Sequence, residues 1–238
     1  DIIHTTTFNG AFPAWLASKL TKKPAVITVH ELWIGKWREY TDMNWLQAFA
    51  HNLLEQLIYL LKFDKYVAVS ESTRKQLLQI GKKEADTMTI YNGVDYEHFN
   101  PKKYDGNKIR RQLRLEKSFI ALVYGRPGPS KGIEYAIQAA KLAATKIKNF
   151  KLLLMLSRDK QYGKKRRQLL QLIERLNIKD IVIDLEPVPH QELPAYIKAA
   201  DCIILPSLSE GFGYVAAEAA AMEKPIVATN TTSLPEVV

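Results

Sequence analysis

Two glutamates lie on either side of a glycine-bearing turn near the end of the chain. In the stretch 209–229, SEGFGYVAAEAAAMEKPIVAT, Glu210 precedes the turn and Glu218 follows it in a short alanine-rich segment. A helix rises about 1.5 Å per residue, so both carboxylates can face one ligand lying across the helix start. Backbone N–H groups at such a start attract phosphate and sugar hydroxyls. The stretch therefore predicts a site for a polar or anionic ligand.

The same stretch supports two other interpretations. The simplest is a surface glutamate beside a helix glutamate, because most glutamates in proteins are solvated. Another is a dinucleotide fold, since residues 211–216 match G-x-G-x-x-A after a predicted strand. That fingerprint places a ribose-binding acid about 20 residues further on. This chain has Thr229 and Asn230 there, so the dinucleotide match is weak.

A glycine-rich loop, GRPGPSKG at 125–132, carries two cations. Arg126 offers a planar fork of donors and Lys131 a compact charge, and both groups suit the oxygens of a diphosphate. The loop lacks the Gly-Lys-Ser/Thr of a Walker loop, and a turn with two solvated cations is the simpler alternative. Because this loop and the glutamate stretch follow strands of one predicted sheet, they open at the same edge, which favours the diphosphate.

Apolar runs of strand length alternate with amphipathic segments along the chain. The predicted strands are 1–6, 24–30, 66–70, 89–93, 119–125, 150–156, 180–185, 202–206 and 225–229. Such alternation predicts parallel α/β sheets, whose ligands bind at the carboxyl ends of the strands. His30 stands at the end of one strand, where a histidine can be structural, exposed or functional. The predicted fold class is α/β, with two Rossmann-like doubly wound parallel-sheet domains.

A polar stretch from about residue 94 interrupts this alternation and predicts a connection between domains. The predicted boundaries are 1–98 for part of a first Rossmann-like domain, 99–117 for the linker and 118–238 for a second Rossmann-like domain. The chain starts in a strand without a lead-in, so we expect the first domain to be incomplete at its N-terminus.

The formal net charge of +9 is compatible with nucleic acid or an anionic membrane as a partner. The basic residues are scattered, and the tightest cluster, 164–167, opens an amphipathic segment where a solvated face is the simpler explanation. We therefore expect no nucleic-acid partner and leave peripheral contact with an anionic membrane open. The single Cys202 fits a reducing compartment, and we expect a cytoplasmic protein, at most peripheral to the inner face of the membrane.

The glutamate pair resembles a motif of a known enzyme family. E-G-F-G followed by a second glutamate, with seven residues between the two, is similar to the motif of retaining glycosyltransferases with the two-Rossmann GT-B fold, the group 1 or glycogen-synthase-like family. Other stretches resemble the family in matching order, namely Val29-His30, VSESTRKQL (69–77), IYNGVDYEHFNP (90–101), the loop 125–132 and 186–207. The resemblance spans nearly the whole chain.

The resemblance implies a role for each matching residue. Donor-sugar contacts are implied for His30, Glu210, Gly211, Phe212 and Gly213. Contacts to the nucleotide are implied for the amides of Tyr214 and Val215 with phosphate, for Glu218 with the ribose diol, and for Val188 with the base. Arg126 and Lys131 would neutralise the departing nucleoside diphosphate. The catalytic candidates are thus His30, Arg126, Lys131 and Glu210.

The implied reaction moves a hexose from a nucleotide-diphosphate sugar to a carbohydrate or lipid-linked acceptor, with retained anomeric configuration. Preorganised cations would stabilise the leaving phosphate. No Asp-x-Asp occurs, so we expect no metal, and no cofactor beyond the nucleotide-sugar donor substrate. Two alternatives stay open, a sugar-nucleotide epimerase of the same architecture and a non-catalytic nucleotide-sugar-binding module.

The chain departs from the family at three places. The family's glycine-rich loop early in the first domain is missing, and Ser157-Arg158-Asp159 replaces the usual Gly-x-Gly after the strand 150–156. Family members also continue beyond Val238. We therefore expect the second domain to be incomplete at its C-terminus, and this chain to be inactive if the missing segments are required.

Overall fold

The computed structural model describes residues 1–238 and divides into two compact units. The first comprises Asp1–Gly93, Ser209–Phe212 and Thr231–Val237, and the second comprises Val94–Leu208, Gly213–Asn230 and Val238. Each unit is built on a parallel sheet with helices between its strands. The predicted fold class, two Rossmann-like parallel-sheet regions, is confirmed.

The strands and helices are numbered in chain order. The strands are β1 Ile3–Thr6, β2 Ala25–Val29, β3 Lys65–Ala68, β4 Thr87–Thr89, β5 Phe119–Gly125, β6 Phe150–Leu156, β7 Val182–Leu185, β8 Cys202–Leu205 and β9 Ile226–Ala228. The helices are α1 Ala11–Thr21, α2 Trp37–Tyr40, α3 Trp45–Leu60, α4 Glu71–Gln79, α5 Gly106–Leu113, α6 Ile133–Lys146, α7 Gly163–Leu176, α8 Leu193–Ala199, α9 Tyr214–Ala221 and α10 Leu234–Val237. None of the helices is long and apolar enough to span a lipid bilayer.

The sheet of the first unit has the order β1-β2-β3-β4, and all neighbouring strands are parallel. Ile27 and Val29 of β2 are buried in a core that they share with Ala68 of β3 and Leu77 of α4. β-Branched residues fit such a pleated, packed surface well. The strand predicted at 24–30 from these residues is confirmed as β2.

Two helices of the first unit begin at side-chain caps. Asn44 Oδ1 accepts from the Gln47 amide at 2.9 Å, and Gln47 Oε1 accepts from the Asn44 amide at 3.2 Å, which forms a capping box at α3. At α4, Ser70 Oγ accepts from the Thr73 amide at 3.1 Å. Of the two serines predicted as this cap, Ser70 and Ser72, the structure therefore uses Ser70.

The sheet of the second unit has the order β7-β6-β5-β8-β9, again all parallel. The chain adds β6 and β7 on one side of β5, and then adds β8 and β9 on the other side of β5. Successive residues of β5 point alternately into two cores, with Ala121 and Val123 in one and Ile120 and Leu122 in the other. Both faces of the sheet are thus covered, as in a doubly wound fold.

The predicted linker, 99–117, is part of the second unit. Phe99 and Leu115 are buried in one of its cores, and α5 packs on α8. Arg110 of α5 pairs with Asp201 at 2.8 Å. The compact units divide between Gly93 and Val94, and the domain boundaries 1–98, 99–117 and 118–238 stay a prediction.

Candidate functional site

The segments that follow β5 and β8 lie side by side in the second unit. These strands are parallel neighbours, so their following segments leave the sheet at the same edge. Beyond the strands, the Leu208 amide donates to the Ser130 carbonyl at 2.7 Å. Gly132 has φ +57°, and a Cβ there would lie 2.2 Å from the Pro206 carbonyl oxygen. Only glycine fits that conformation and that approach, so the two segments are held closely together.

Both residues predicted to bind a diphosphate lie on the glycine-rich loop 125–132, which follows β5. Arg126 follows β5 directly and is exposed, whereas Lys131 is half-buried at the end of the 3-10 turn Pro129–Lys131. Helix α6 begins two residues later, at Ile133. A guanidinium and an ammonium are thereby placed at the edge where β5 and β8 end. Both groups bind anions through charge-assisted hydrogen bonds.

Helix α9 begins after the segment that follows β8, with Gly213 as its N-cap residue at φ +92°. The Gly213 carbonyl accepts from the Ala216 amide at 2.9 Å and from the Ala217 amide at 3.2 Å. The amides of Tyr214 and Val215 therefore precede the first intrahelical bond. Amides in this position carry the partial positive charge of a helix start, which suits the phosphate role predicted for them.

Glu218 lies on α9 with its carboxylate held by a tyrosine. The Tyr124 hydroxyl, near the end of β5, donates to Glu218 Oε2 at 2.9 Å and lies 3.3 Å from the Val215 carbonyl oxygen. Burial raises the pKa of Glu218, while the Tyr124 hydrogen bond and nearby His98 act in the opposite direction. Burial likewise raises the pKa of Tyr124, and the charge of Glu218 adds to that effect. The sequence analysis missed Tyr124, whose only signal was a hydroxyl in an otherwise apolar strand.

Two histidines stack in the same unit. The rings of His98 and His190 lie 4.6 Å apart at 19°, and His98 Nε2 lies 3.0 Å from the His190 carbonyl oxygen. Val188, predicted to touch the base, is half-buried against the core that also contains Phe99 and Tyr124. The sequence analysis assigned no role to either histidine.

The departure from the family's Gly-x-Gly lies directly after β6. Arg158 there pairs with Asp184 of β7 at 3.6 Å and with Glu186 beyond β7. Arg166 of α7 also pairs with Asp184. The guanidinium of Arg158, at the middle position of that motif, is thus engaged by protein carboxylates.

In the first unit, Gly211 approaches the chain directly after β2. A Cβ at Gly211 would lie 1.8 Å from the His30 carbonyl oxygen and 2.5 Å from Glu31 Cγ. The Gly211 amide donates to Glu31 Oε1 at 2.9 Å. His30 itself is exposed. The structure thus brings His30 and Gly211 together within the first unit, and it adds Glu31, which the sequence analysis missed although it follows His30 directly.

Glu210 is held in the first unit through its backbone. Its amide donates to Thr232 Oγ1 at 2.9 Å, and its carbonyl accepts from Ser233 Oγ at 2.9 Å. Thr73 Oγ1 of α4 lies 3.5 Å from the Gly211 carbonyl oxygen. Hydroxyl side chains from two separate stretches therefore position the turn that carries Glu210.

The remaining turn residue, Phe212, is buried, and its ring centroid lies 6.5 Å from that of Tyr91. Glu236 of α10 accepts from the Glu71 amide and from the Ser72 amide, each at 2.7 Å. A carboxylate at the start of α4 suits the partial positive charge of a helix N-terminus. Burial raises the pKa of Tyr91, and the nearby Glu236 carboxylate adds to that effect.

The predicted site residues divide between the two units. The first unit holds His30, Glu210, Gly211 and Phe212. The second unit holds Arg126, Lys131, Val188, Gly213, Tyr214, Val215 and Glu218. No group of three or more His, Cys, Asp or Glu side chains that could hold a metal ion occurs.

Two family models match the chain. The model described as glycosyl transferases group 1 matches residues 105–238, and the model described as glycosyltransferase family 4 matches residues 1–98. The D-inositol 3-phosphate glycosyltransferase of Mycobacterium tuberculosis is 26% identical over 236 residues, which are 99% of this chain and 48% of that protein. The chain thus spans about half the length of the curated relatives that it matches.

Solved structures share the fold over the full chain. Anabaena Alr3699/HepE, crystallised with UDP-glucose, has a TM-score of 0.81 at 24% identity and covers 100% of this chain, which spans 62% of it. Sucrose-phosphate synthase (tll1590) from Thermosynechococcus elongatus has a TM-score of 0.78 at 27% identity, with 98% of this chain and 57% of that chain covered.

Proposed function

Since this chain belongs to the group 1 glycosyl transferases, we propose that it serves the transfer of a hexose from a nucleotide-diphosphate sugar to an acceptor, with retained configuration. The observation that carries the proposal is the strand order of the second unit. That order reverses between β5 and β8, and doubly wound sheets bind ligands outside the carboxyl ends of their strands at such a reversal. The loop with Arg126 and Lys131 and the segment leading to α9 both begin there.

The diphosphate is assigned to Arg126, Lys131 and the first amides of α9. As the bond from the anomeric carbon to the diphosphate oxygen breaks, negative charge grows on that oxygen. Preorganised cations and helix amides stabilise such charge without having to reorganise during the reaction. This set of groups can serve the leaving group without a metal ion, which supports a metal-independent mechanism.

The nucleoside is assigned to Glu218 and Val188. An ionised carboxylate can accept two hydrogen bonds from a ribose diol, and Tyr124 orients Glu218 for that task through its 2.9 Å hydrogen bond. Val188 offers an apolar contact for the face of the base. HepE structures contain UDP and UDP-glucose, so uracil is the first base to test here.

The donor sugar is assigned to Glu210, His30 and the E-G-F-G backbone. The close approach of Gly211 to the His30 carbonyl and its bond to Glu31 fix the turn in one conformation. A turn held in this way presents Glu210 to sugar hydroxyls reproducibly. The acceptor oxygen attacks the same face of the anomeric carbon that the diphosphate leaves, which retains the configuration, and its proton passes to the departing diphosphate.

A calorimetric panel of UDP-, GDP- and ADP-sugars tests this proposal on the chain as it stands. We expect saturable binding of at least one nucleotide sugar, with the free nucleoside diphosphate competing. Product analysis with and without a carbohydrate acceptor then identifies the reaction class. Isomerisation of the donor without acceptor would contradict transfer and indicate an epimerase, and absence of binding to every donor would contradict the site assignment.

A further inference from the structure

The segment 94–100 opens the second unit and is held in shape by its own aspartate. Asp95 Oδ1 accepts from the Glu97 and His98 amides at 2.9 Å each, and the Asp95 carbonyl accepts from the Phe99 amide at 2.8 Å. An aspartate that binds amides two and three residues further on closes a tight turn. Phe99 is buried, which anchors the turn in a core. The His98 side chain therefore leaves a fixed backbone.

His98 reaches from this turn to the β7 loop, residues 186–192, which connects β7 to α8. Its Nε2 lies 3.0 Å from the His190 carbonyl oxygen, which also accepts from the Leu193 amide at 3.3 Å. A carbonyl oxygen only accepts, so His98 Nε2 carries the hydrogen of this bond. The two imidazoles stack at 4.6 Å, and the Phe99 ring meets His190 at 84°. One histidine thus supplies both a donor and a packing surface to the β7 loop.

Holding His190 also restrains Val188, the residue assigned to the base. The β7 loop reads EPVPHQE, so Val188 stands between Pro187 and Pro189. Proline fixes its own φ at about −65° and confines the preceding residue to extended backbone. The side chain of Val188 also packs on the core that contains Phe99. A stiff segment of this kind moves with its ends, so the anchor at His190 determines where Val188 lies.

His98 also lies near the carboxylate assigned to the ribose. Burial raises the pKa of Glu218, whereas the Tyr124 hydrogen bond and a charge on His98 lower it. Charges act on a neighbouring pKa at short range. His98 is therefore close both to the ribose carboxylate and to the loop that carries Val188.

We propose that His98 is a positioning residue for the nucleoside of the donor, which it serves by donating to the His190 carbonyl and so holding Val188 in place. The proposal rests on the proposed function, because Val188 is assigned to the base there. A histidine that only stabilised the second unit would affect all ligands of that unit alike. A positioning residue instead affects ligands that contain a base and spares the diphosphate alone.

Calorimetry on the His98→Phe chain with UDP, GDP, ADP and inorganic pyrophosphate tests the proposal. Phenylalanine keeps a ring for the stack on His190 and removes the donor. Affinity for the nucleoside diphosphate that the parent binds most tightly should fall about three- to tenfold, as expected for one hydrogen bond, and pyrophosphate affinity should not change. His98→Gln is the conservative variant, because the same number of bonds separates its Nε2 from Cα. It should restore the affinity to within about twofold.

His51→Phe is the matched control. His51 of α3 in the first unit is half-buried like His98, and its ring nitrogen lies 2.8 Å from the Gln47 carbonyl oxygen. The same substitution there should leave nucleotide affinity unchanged. Circular dichroism checks that each variant is folded.

Hydrogen exchange of the ligand-free chain gives a readout that does not depend on nucleotide. The Glu192 and Leu193 amides bond to the Pro189 and His190 carbonyls at the end of the β7 loop. Both amides should exchange faster in His98→Phe, because the loop opens more often without its anchor, and at the parental rate in His51→Phe.

The possible failures are distinguishable. A folded His98→Phe chain that binds the nucleoside diphosphate as tightly as the parent would overturn this proposal and leave the proposed function in place. Equal weakening of nucleoside diphosphate and pyrophosphate binding would also overturn it, and would make His98 a structural residue. A parent chain that binds no nucleoside diphosphate would contradict the proposed function, and this proposal with it.

Discussion

The two glutamates predicted to bind the donor are held in different ways. Glu218 is held by its side chain, through the Tyr124 hydroxyl, in an environment whose burial raises its pKa. The turn with Glu210 is held through backbone atoms, by Thr232 Oγ1 and Ser233 Oγ. A buried carboxylate with one tyrosine donor is sensitive to changes in charge, whereas a turn fixed through its backbone is sensitive to changes in shape. The two glutamates should therefore respond to different substitutions.

Truncating each glutamate tests this difference most strongly. Glu218→Ala should weaken nucleoside diphosphate binding by about 1.5–3 kcal/mol, because charge-assisted bonds to the ribose diol are lost. Glu210→Ala should preserve that affinity and lose the preference for the intact sugar donor. Calorimetry with UDP and with UDP-glucose on both variants measures the two effects. If both variants lost affinity for UDP and for UDP-glucose to the same extent, the two glutamates would not have separate roles.

A methyl group at Gly211 tests the turn that carries Glu210, which is held through backbone atoms. Gly211→Ala should destabilise the first unit by about 1–3 kcal/mol, since its Cβ would lie 1.8 Å from the His30 carbonyl oxygen. Gly93→Ala is the control, because nothing lies within 4 Å of a Cβ there. Urea unfolding of both variants provides the measurement. A Gly211→Ala protein as stable as the control would mean that the turn moves freely away from His30.

Removing the Tyr124 hydroxyl tests the hydrogen bond that holds the Glu218 side chain. We expect a smaller effect than for Gly211→Ala. Without its donor, the pKa of Glu218 should rise further above its ordinary value. The folded protein then holds this proton more tightly than the unfolded chain does, so the free energy of unfolding should fall as pH rises from the ordinary Glu range through the raised pKa. Tyr124→Phe should enlarge that fall by about 1 kcal/mol.

Unfolding curves at a series of pH values check this prediction. Glu218→Gln is the reference, because it removes the titrating group and should remove this part of the pH dependence in both backgrounds. If Tyr124→Phe left the pH dependence unchanged relative to the parent, the hydrogen bond would not control Glu218.

Most strands, and the loops at the ends of β5 and β8, followed from local pattern alone, whereas the strand predicted at 89–93 lies at Thr87–Thr89. Buried parallel strands are unbroken apolar runs, and Ser70 marks the start of α4 as its N-cap. Both signals are local and require no knowledge of distant residues. Contacts across the chain were not accessible in this way. The bond from Gly211 to Glu31 joins residues 180 positions apart, and local pattern cannot pair them. A carboxylate beside His30 was the only hint.

Orientation was a second limit. The segment 44–62 predicts an amphipathic helix, but its pattern does not tell which side faces the protein. Glu55 is buried beside Ala48, Ile58 and Tyr59 and accepts two hydrogen bonds inside the first unit, whereas most leucines of the helix are exposed. The linker shows the same limit, since Phe99 and Leu115 anchor a stretch whose composition indicates exposure. The division of labour between the predicted site residues stays a prediction.

The central claim, that the loop after β5 receives a diphosphate, is tested most directly by substituting both Arg126 and Lys131 with Ala. Surface substitutions of this kind change stability by about 0.5 kcal/mol or less, so the variant should fold normally. Its affinity for a nucleoside diphosphate should fall by at least about tenfold and depend less on salt, because charge-assisted bonds are lost. Binding of the bare nucleoside should not change. A folded double variant that binds the diphosphate as tightly as the parent would contradict the account.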